Sequence, residues 1–285
     1  MKAQIEFNWI FTIIVGAIIL LFFFGFTLKY RDLQEKKQEI ILLNNFDNSL
    51  KLLEKSSFQT STDLDLYNEI NVRCDNNRIY LNNEETNNII FSEKNLNNKI
   101  FILYQPYKVP FFITNIYYII GSKRYYIVVN NDQDLNSFVD SLIEELPDDF
   151  KNRVVKTNSY NPNDRKNRYI SFIGDADVHI VSDQDYNYGS LIIANQEYNY
   201  YGREMLYGAI FSEDYGCLLD IVKARMDNAI LMYENKINVI KKEGCSYNAI
   251  LSELENLRQG FDKQKVDNIE ELNKNLANLN CPVLY

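Results

Sequence analysis

The feature that most constrains this chain is an apolar run close to its amino terminus. Residues 7–28 read FNWIFTIIVGAIILLFFFGFTL and include no Asp, Glu, Lys or Arg. At 1.5 Å of rise per helical residue, about 22 residues are enough to cross a hydrocarbon core roughly 30 Å thick. The sequence therefore predicts one transmembrane helix over residues 7–28, preceded by a short leader at 1–6.

This apolar run has the character of a permanent anchor. A cleaved secretory signal has an apolar region of about 7 to 15 residues followed by a small-x-small cleavage site. Here the run is longer and ends in Phe24, Gly25, Phe26 and Thr27 before Lys29. We therefore expect the helix to stay on the mature protein and to hold it in the lipid bilayer.

The first residues resemble the start of archaeal type IV pilin-like proteins. In those proteins a basic residue and a small residue precede a Gln at the processing site, and Lys2, Ala3 and Gln4 follow that order. The resemblance implies cleavage between Ala3 and Gln4. Glu6 is the third residue after this cut and Asn8 is the fifth, where the family usually has its Glu.

The layout of the whole chain looks like that of a group of single-span membrane proteins from small-genome archaea. The likeness lies in QIEFNWIF at the start, YGAIFSEDY before the last helices and CPVLY at the end. This resemblance implies a single-span membrane protein and no particular function.

The side of the membrane on which the remainder lies is predicted differently by two signals. An excess of Lys and Arg after the span favours a cytoplasmic domain, and the lack of any Asn-x-Ser/Thr acceptor points the same way. The pilin-like start implies the exterior, and acidic residues are interleaved with the basic ones. We expect an extracytoplasmic domain and keep the cytoplasmic one as the alternative. The basic residues concerned are Lys29, Arg31, Lys36 and Lys37, against Lys2 before the span.

Residues 29–56 read as a helical continuation of the span. Apolar side chains recur there at intervals of three and four, without Gly or Pro to interrupt the helix. This amphipathic stripe is typical either of a helix packed on the following domain or of a rod that assembles with copies of itself. The stripe is formed by Leu33, Ile40, Leu43, Phe46, Leu50 and Leu53.

Residues 57–202 predict an α+β domain built on a mixed sheet. The Asn-, Ser- and Thr-rich stretch 59–98 predicts brief strands and loops, and stronger strands follow at 99–107, 111–120 and 125–129. A helix capped by Asp132 and stopped by Pro147 then leads to a strand at Val154, which makes one βαβ unit. No glycine loop follows the first strand of that unit, so it lacks a phosphate cradle.

Residues 203–285 predict a C-terminal helical bundle with a long helix up to Gly244 and two shorter ones around Gly260. Four cysteines allow three pairings. Folding the last two helices back at Gly260 brings Cys245 opposite Cys281, which favours that bridge and leaves Cys74 for Cys217. With no Cys-x-x-Cys pair and one His, a structural zinc site is not expected. Disulfides require an oxidising compartment, so they go with the extracytoplasmic topology.

Two candidate sites stand between the later strands. Asp183, Asp185 and Asn187 alternate like the oxygen ligands of a calcium loop, although Tyr188 and Ala194 stand where an EF-hand needs Gly and Glu. Calcium is the only cofactor that the pattern suggests, and a solvated turn is the alternative. A second alternation, which would serve a cation-dependent enzyme over 175–185, consists of Asp175, Asp177 and His179.

Tyrosines make a third candidate site. The stretches 184–189 (QDYNYG) and 196–202 (QEYNYYG) nearly repeat each other around a short strand. Rings with a polar tip beside Asn and Asp are typical of protein and glycan contact surfaces, and cross-strand ring pairing is the alternative. The predicted binding residues are Tyr186, Tyr188, Tyr198 and Tyr200.

The net charge of −9 argues against nucleic acid as the main partner, because such binding needs an excess of Lys and Arg. We expect a non-enzymatic envelope protein with a structural, adhesion or pilus-like assembly role. Its partners would be the bilayer, other envelope proteins or copies of itself. The alternatives are a membrane-tethered cytoplasmic scaffold or sensor, and the cation-dependent enzyme.

Overall fold

The computed structural model describes residues 2–55, 60–183, 186–240, 242–260 and 262–285, with side chains for all of these except 2–10 and 35. By its internal contacts the chain divides into two compact units, the first ending at Asn48 and the second comprising Ser49–Tyr285. The fold is mixed α+β, with a long apolar helix at the amino terminus and two mixed sheets.

The first helix, α1 (Lys2–Glu54), contains the apolar run and continues well beyond it. Residues 2–6 of the predicted leader are already helical. Within the described chain it is the one helix long and apolar enough to cross a membrane, and none of its most apolar stretch is buried. No proline interrupts it, so its hydrogen-bond ladder can run on without a break. Ser56 and Ser57, where the sequence predicts the end of this rod, lie outside the described residues.

The first sheet has six strands in the order β3-β2-β1-β5-β6-β4. Neighbours are antiparallel except β4, which runs parallel to β6. Asn76 and Asn77, with φ of 49° and 58°, form the two-residue turn between β1 and β2, the backbone that a tight hairpin needs. The strands are β1 (Thr60–Asp75), β2 (Arg78–Leu81), β3 (Glu84–Thr86), β4 (Ile89–Ser92), β5 (Asn95–Lys108) and β6 (Phe112–Ile120).

Strand β1 is longer than its composition predicts. The polar stretch 59–98 suggests only brief strands, whereas β1 has 16 residues and pairs with β5 from Thr60 to Leu66 and again from Ile70. Its polar side chains take mostly exposed positions, while Leu66, Ile70 and Val72 are buried. A strand with one solvated face tolerates this polar content.

The second sheet also has six strands, in the order β12-β11-β10-β9-β7-β8, where the sequence predicts a single mixed sheet for the whole domain. Its first four strands in the chain are mutually parallel and the last two form an antiparallel hairpin. The strands are β7 (Tyr125–Val128), β8 (Val154–Thr157), β9 (Arg168–Ser171), β10 (Val178–Ser182), β11 (Tyr188–Ile193) and β12 (Gln196–Tyr201).

A βαβ unit lies where the sequence pattern indicates one. Strands β7 and β8 are parallel, with α2 (Gln133–Glu144) and the short α3 (Asp148–Lys151) between them. The Asp132 carboxylate caps α2 by accepting from the backbone N–H groups of Asp134 and Leu135 at 2.9 and 3.1 Å.

Four helices follow the second sheet. They do not form the separate C-terminal bundle that the sequence predicts, because two of them pack on the first sheet. Both α4 and the first half of α5 cover the first sheet, where the Tyr118 ring meets those of Tyr207 and Phe211. Gly208 allows this close approach, because a Cβ there would stand 2.8 Å from the Phe91 ring. The α6 and α7 helices form a hairpin against the rest of α5. The helices are α4 (Gly202–Phe211), α5 (Tyr215–Ile240), α6 (Asn248–Gln259) and α7 (Lys263–Asn278).

The opposite face of the first sheet is covered by the last residues of α1, which belong to the second unit. The Tyr117 hydroxyl donates to the carbonyl of Leu50 at 3.4 Å, and Asn115 Nδ2 donates to Glu54 Oε1 at 3.2 Å. Leu50 and Leu53 are buried. The foot of α1, Ser49–Glu54, is therefore packed as part of the domain.

All four cysteines lie in two pairs at disulfide distance. Cys74 of β1 is joined to Cys217 of α5, and Cys245 before α6 is joined to Cys281 after α7, with Cα atoms 6.0 and 5.8 Å apart. These are the pairs that the antiparallel-hairpin argument gives. The first bridge ties a sheet to its covering helix, and the second closes the helical hairpin.

Candidate functional site

The strand register decides which of the four candidate tyrosines can share a surface. Tyr188 pairs with Tyr201, and their rings are 5.9 Å apart, whereas Gly189 pairs with Tyr200 and Leu191 with Tyr198. Because successive side chains of a strand point to opposite faces, Tyr188 lies on one face of the sheet and Tyr198 and Tyr200 on the other. The structure therefore does not bring the four rings onto one face.

Each of the other three rings has its own packing partner. Tyr200 has no exposed surface, and its hydroxyl donates to the carbonyl of Tyr186 at 3.3 Å. The Tyr198 ring stands 5.9 Å from that of Tyr215. The Tyr186 ring stacks on Phe138 at 4.4 Å. The Tyr188–Tyr201 contact is a cross-strand ring pair, as in the alternative interpretation, whereas Tyr186 and Tyr198 pack on α2 and α5.

Two tyrosines that the sequence analysis did not single out close the outer edge of β12. Gly202 N donates to the Asn187 carbonyl of the neighbouring strand at 2.7 Å, so the alternate residues Asn199 and Tyr201 direct their carbonyls away from β11. The Tyr215 hydroxyl donates to the carbonyl of Asn199 at 3.3 Å, and that of Tyr107 to the carbonyl of Tyr201 at 3.1 Å.

Burial raises the pKa of Tyr107 and of Tyr215 well above the ordinary value, so both stay neutral donors at any physiological pH. An uncovered edge strand offers its backbone groups to other chains. Two carbonyls of this edge already accept hydrogen bonds within the domain, which makes strand addition at β12 a less favourable way of binding a partner.

In the proposed calcium loop, the described residues Asp183 and Asn187 bond to other protein groups. Asp183 Oδ2 lies 3.4 Å from Lys263 Nζ, and Asp183 Oδ1 accepts from the Tyr188 backbone N–H at 3.4 Å. The Asn187 carbonyl is taken by Gly202, and Asp185 lies outside the described residues. Among the residues that are described, no group of three or more His, Cys, Asp or Glu side chains is placed to hold a metal ion.

The Asp175, Asp177 and His179 alternation is not assembled as a trio. Asp177 Oδ2 accepts from the Tyr169 backbone N–H at 2.8 Å, and its Oδ1 accepts from the Tyr160 hydroxyl at 3.3 Å. His179 lies on β10, and its Nδ1 is buried without a hydrogen-bond partner in the described part of the chain. Asp177 thus connects β9 with the loop that contains Tyr160 through two hydrogen bonds.

A buried polar cluster, which sequence reasoning missed, links the ends of the two sheets. Glu93 is 4% exposed, and its Oε1 accepts from the Gly121 N–H at 3.0 Å and from the Tyr125 hydroxyl at 3.1 Å. Burial, and secondly Glu93, raises the pKa of Tyr125. The Arg168 guanidinium donates to the Ala209 carbonyl at 3.2 Å, and burial lowers its pKa.

Next to this cluster Lys123 pairs with Glu213 on the turn between α4 and α5. Buried polar groups that are hydrogen-bonded hold a particular geometry, here the junction of four strand ends with two helices. Arg168 Nε, by contrast, is buried without a partner among the described residues. A single Glu inside a strand pattern carries no spacing signal, so the sequence alone gives no reason to expect this cluster.

A groove of about 450 Å³, which no sequence pattern predicts, lies beside the start of β6. One wall consists of Phe112 and Ile113, and the other is one face of α5. Its volume falls in the range of small-molecule sites. The α5 residues include Arg225, Ala229, Met232 and Lys236.

Comparison with known proteins gives this chain no relatives: no protein-family model, no curated protein and no solved structure matches it.

Proposed function

We propose that the protein is a single-span membrane protein of the cell envelope, anchored by the apolar part of α1 and presenting the unit Ser49–Tyr285 outside the cytoplasm. Its role is structural, in adhesion or in a pilus-like assembly, and not catalytic. The observation that carries this proposal is the combination of a membrane-length helix with a domain in which every cysteine is paired.

The cysteine pairs support the exterior side because disulfides persist in oxidising compartments and are rare where glutathione keeps thiols reduced. The pairs also lie at structurally useful places, one on the sheet–helix contact and one across a helical hairpin. Four unpaired thiols at these positions would leave two elements less firmly held.

An assembly role is supported by the exposed apolar side chains of α1 after the span. Leu33 and Ile40 are exposed there, seven residues apart along one helical face. In this proposal α1 packs against α1 of other copies, and the domain supplies the outer surface. The pilin-like start of the sequence fits the same picture.

The function is tested by mapping the cysteines in membranes from the native cells. Cells are quenched with a thiol-alkylating reagent before lysis, and the peptides are compared without and with a reductant. We expect the linked peptides Cys74–Cys217 and Cys245–Cys281 and no alkylation before reduction. Four alkylated cysteines would contradict the exterior location.

The cytoplasmic scaffold or sensor is the second candidate, and one observation favours it. Four basic residues follow the apolar run within ten positions, which by the positive-inside rule indicates a cytoplasmic domain. This candidate predicts the opposite outcome of the thiol map. The basic residues are Lys29, Arg31, Lys36 and Lys37.

A further inference from the structure

The groove beside β6 is formed where α5 runs past the beginning of that strand. Its helical wall uses residues spaced by three and four, from Arg225 through Ala229 and Met232 to Lys236, so one continuous face of α5 lines it. The opposite wall is Phe112 with the buried Ile113. The Tyr233 ring, packed on Phe111 at 4.4 Å, closes one side.

The apolar surface of this groove is open to solvent. Met232 is 72% exposed and Phe112 is 44% exposed, although both side chains are large and apolar. Ala229 forms part of the floor and, being small, leaves room above it. Apolar side chains that stay exposed around a concave surface are typical of a binding site rather than of a plain surface.

The charge of the groove is opposite to that of the chain as a whole. Its charged lining residues, within the described chain, are Arg225 and Lys236, while the chain carries 39 acidic against 30 basic residues. These two residues are 11 positions apart on α5, a separation of about 16 Å along the helix axis. The acidic residues of α5, Asp220, Asp227 and Glu234, are not among those that line the groove.

Both cations are held in place and keep donors for a ligand. Arg225 Nη2 donates to the Asn87 carbonyl at 3.4 Å, and Lys236 Nζ donates to the Leu284 carbonyl at 2.5 Å beside the Tyr233 ring. A guanidinium has five N–H donors and an ammonium has three, so each can bind an anionic oxygen in addition. Positioned cations above an apolar floor recognise a molecule that has both an anionic head and an apolar body.

We propose that this groove binds a single-chain lipid acid, a molecule with an extended apolar chain and one carboxylate head. The chain lies over Ala229, Met232 and Phe112, and the head contacts Arg225 or Lys236. The groove's volume of about 450 Å³ suits a small molecule. The proposal is independent of the side of the membrane on which the domain lies.

The experiment uses the full-length protein in nanodiscs of zwitterionic lipid and a palmitate that carries a diazirine in its chain. After irradiation, labelled peptides are mapped, and labelling of residues 225–236 is expressed relative to that of the apolar run in α1. The run contacts the lipid and takes up the probe in every sample, so it corrects for partitioning. Matched probes with the same chain carry an alcohol or a trimethylammonium head.

We expect saturable labelling of 225–236 and of Phe112 by the carboxylate probe, about tenfold above that by the alcohol probe, with the ammonium probe lowest. The double variant R225Q/K236Q should reduce carboxylate labelling to the alcohol level. The variant Lys223→Gln, on the same helix but outside the groove, should leave it unchanged. Ala229→Phe, which fills the floor, should abolish labelling by all three probes.

Equal labelling by the three head groups, or labelling that persists in Ala229→Phe, would overturn the proposal. So would self-association of the protein that blocks labelling of 225–236, because the groove would then be an interface between copies. The melting temperature of each variant shows whether it is folded, and R225Q/K236Q alters only exposed side chains, so it tests the head-group contact even if Ala229→Phe does not fold.

Discussion

At the scale of single residues, the polar groups inside this domain serve its architecture. Glu93 joins two sheets through Gly121 and Tyr125, and two tyrosine hydroxyls close an edge strand. A chain with 21 tyrosines can use them as buried donors because the ring is apolar and the hydroxyl needs only one acceptor. Tyrosine is thus a core residue here as much as a surface one.

The first residue-scale prediction concerns the two edge-closing hydroxyls. Tyr107→Phe and Tyr215→Phe each leave a backbone carbonyl without its donor, which should lower the free energy of unfolding by about 1 kcal/mol. Tyr67→Phe, at a 95% exposed ring, is the matched control and should be neutral. Urea unfolding of the full chain measures this, and equal stability of all three variants would refute the role of the two hydroxyls.

A second residue-scale prediction concerns pH. Burial raises the pKa of Glu204 above its ordinary value of 4.5. A carboxyl with a raised folded-state pKa contributes stability below its unfolded pKa and loses it as the pH rises through the folded value. Glu204→Gln should therefore be more stable than wild type at neutral pH. This advantage should disappear as the pH falls from the folded-state pKa of Glu204 to its unfolded-state pKa. Glu271→Gln, at an exposed position of α7, should show no such pH-dependent gain in melting temperature.

At the scale of elements, the sequence predicts the helices that have a local periodic pattern. It does not predict the features that depend on pairing between distant strands. The apolar helix α1 and the Asp132-capped helix have strong local signals, a 22-residue apolar run and a cap before a periodic stripe. The length of β1 has none, because its polar residues are stabilised by pairing with β5, which lies later in the chain. The division into two sheets is likewise set by long-range pairing.

The candidate tyrosines show the same limit. Their near-repeat marks a hairpin, but which ring is buried depends on β10, α2 and α5, elements that the repeat does not include. The groove between β6 and α5 could not be predicted at all, since its walls are about 110 residues apart in the sequence and neither has a motif.

The element-scale prediction for the β11–β12 hairpin uses all four candidate rings. Replacing Tyr186, Tyr188, Tyr198 and Tyr200 together by Ala should lower the melting temperature markedly, because Tyr200 is fully buried and the others pack on separate partners. The fourfold Phe variant keeps the rings and should lose much less. An Ala variant that melts like wild type but no longer binds a partner would favour the contact-surface interpretation.

The disulfides give a second prediction at this scale. Paired Ser variants should each lower the free energy of unfolding by about 2–5 kcal/mol. The Cys74–Cys217 bridge spans 143 positions and the Cys245–Cys281 bridge 36, so loop entropy makes the loss of the first larger by about 1 kcal/mol. Denaturant unfolding compares the two, and a larger loss for the 245–281 pair would contradict this order.

At the scale of the whole molecule, an apolar helix that can cross a bilayer is joined to an α+β unit in which all four cysteines are paired and several buried polar groups are bonded within the unit. Such a unit suits an exposed location, where a domain must remain folded without the cytoplasmic machinery that rescues unfolded chains. The central claim is that this unit lies outside the cytoplasm.

The most direct test of that claim is protease accessibility on intact cells, read with an antibody against the unit Ser49–Tyr285. The account predicts that added protease removes this unit from intact cells, together with a known surface protein, while a cytoplasmic control protein survives. A unit that is protected in intact cells and degraded only after lysis, along with the cytoplasmic control, would contradict it.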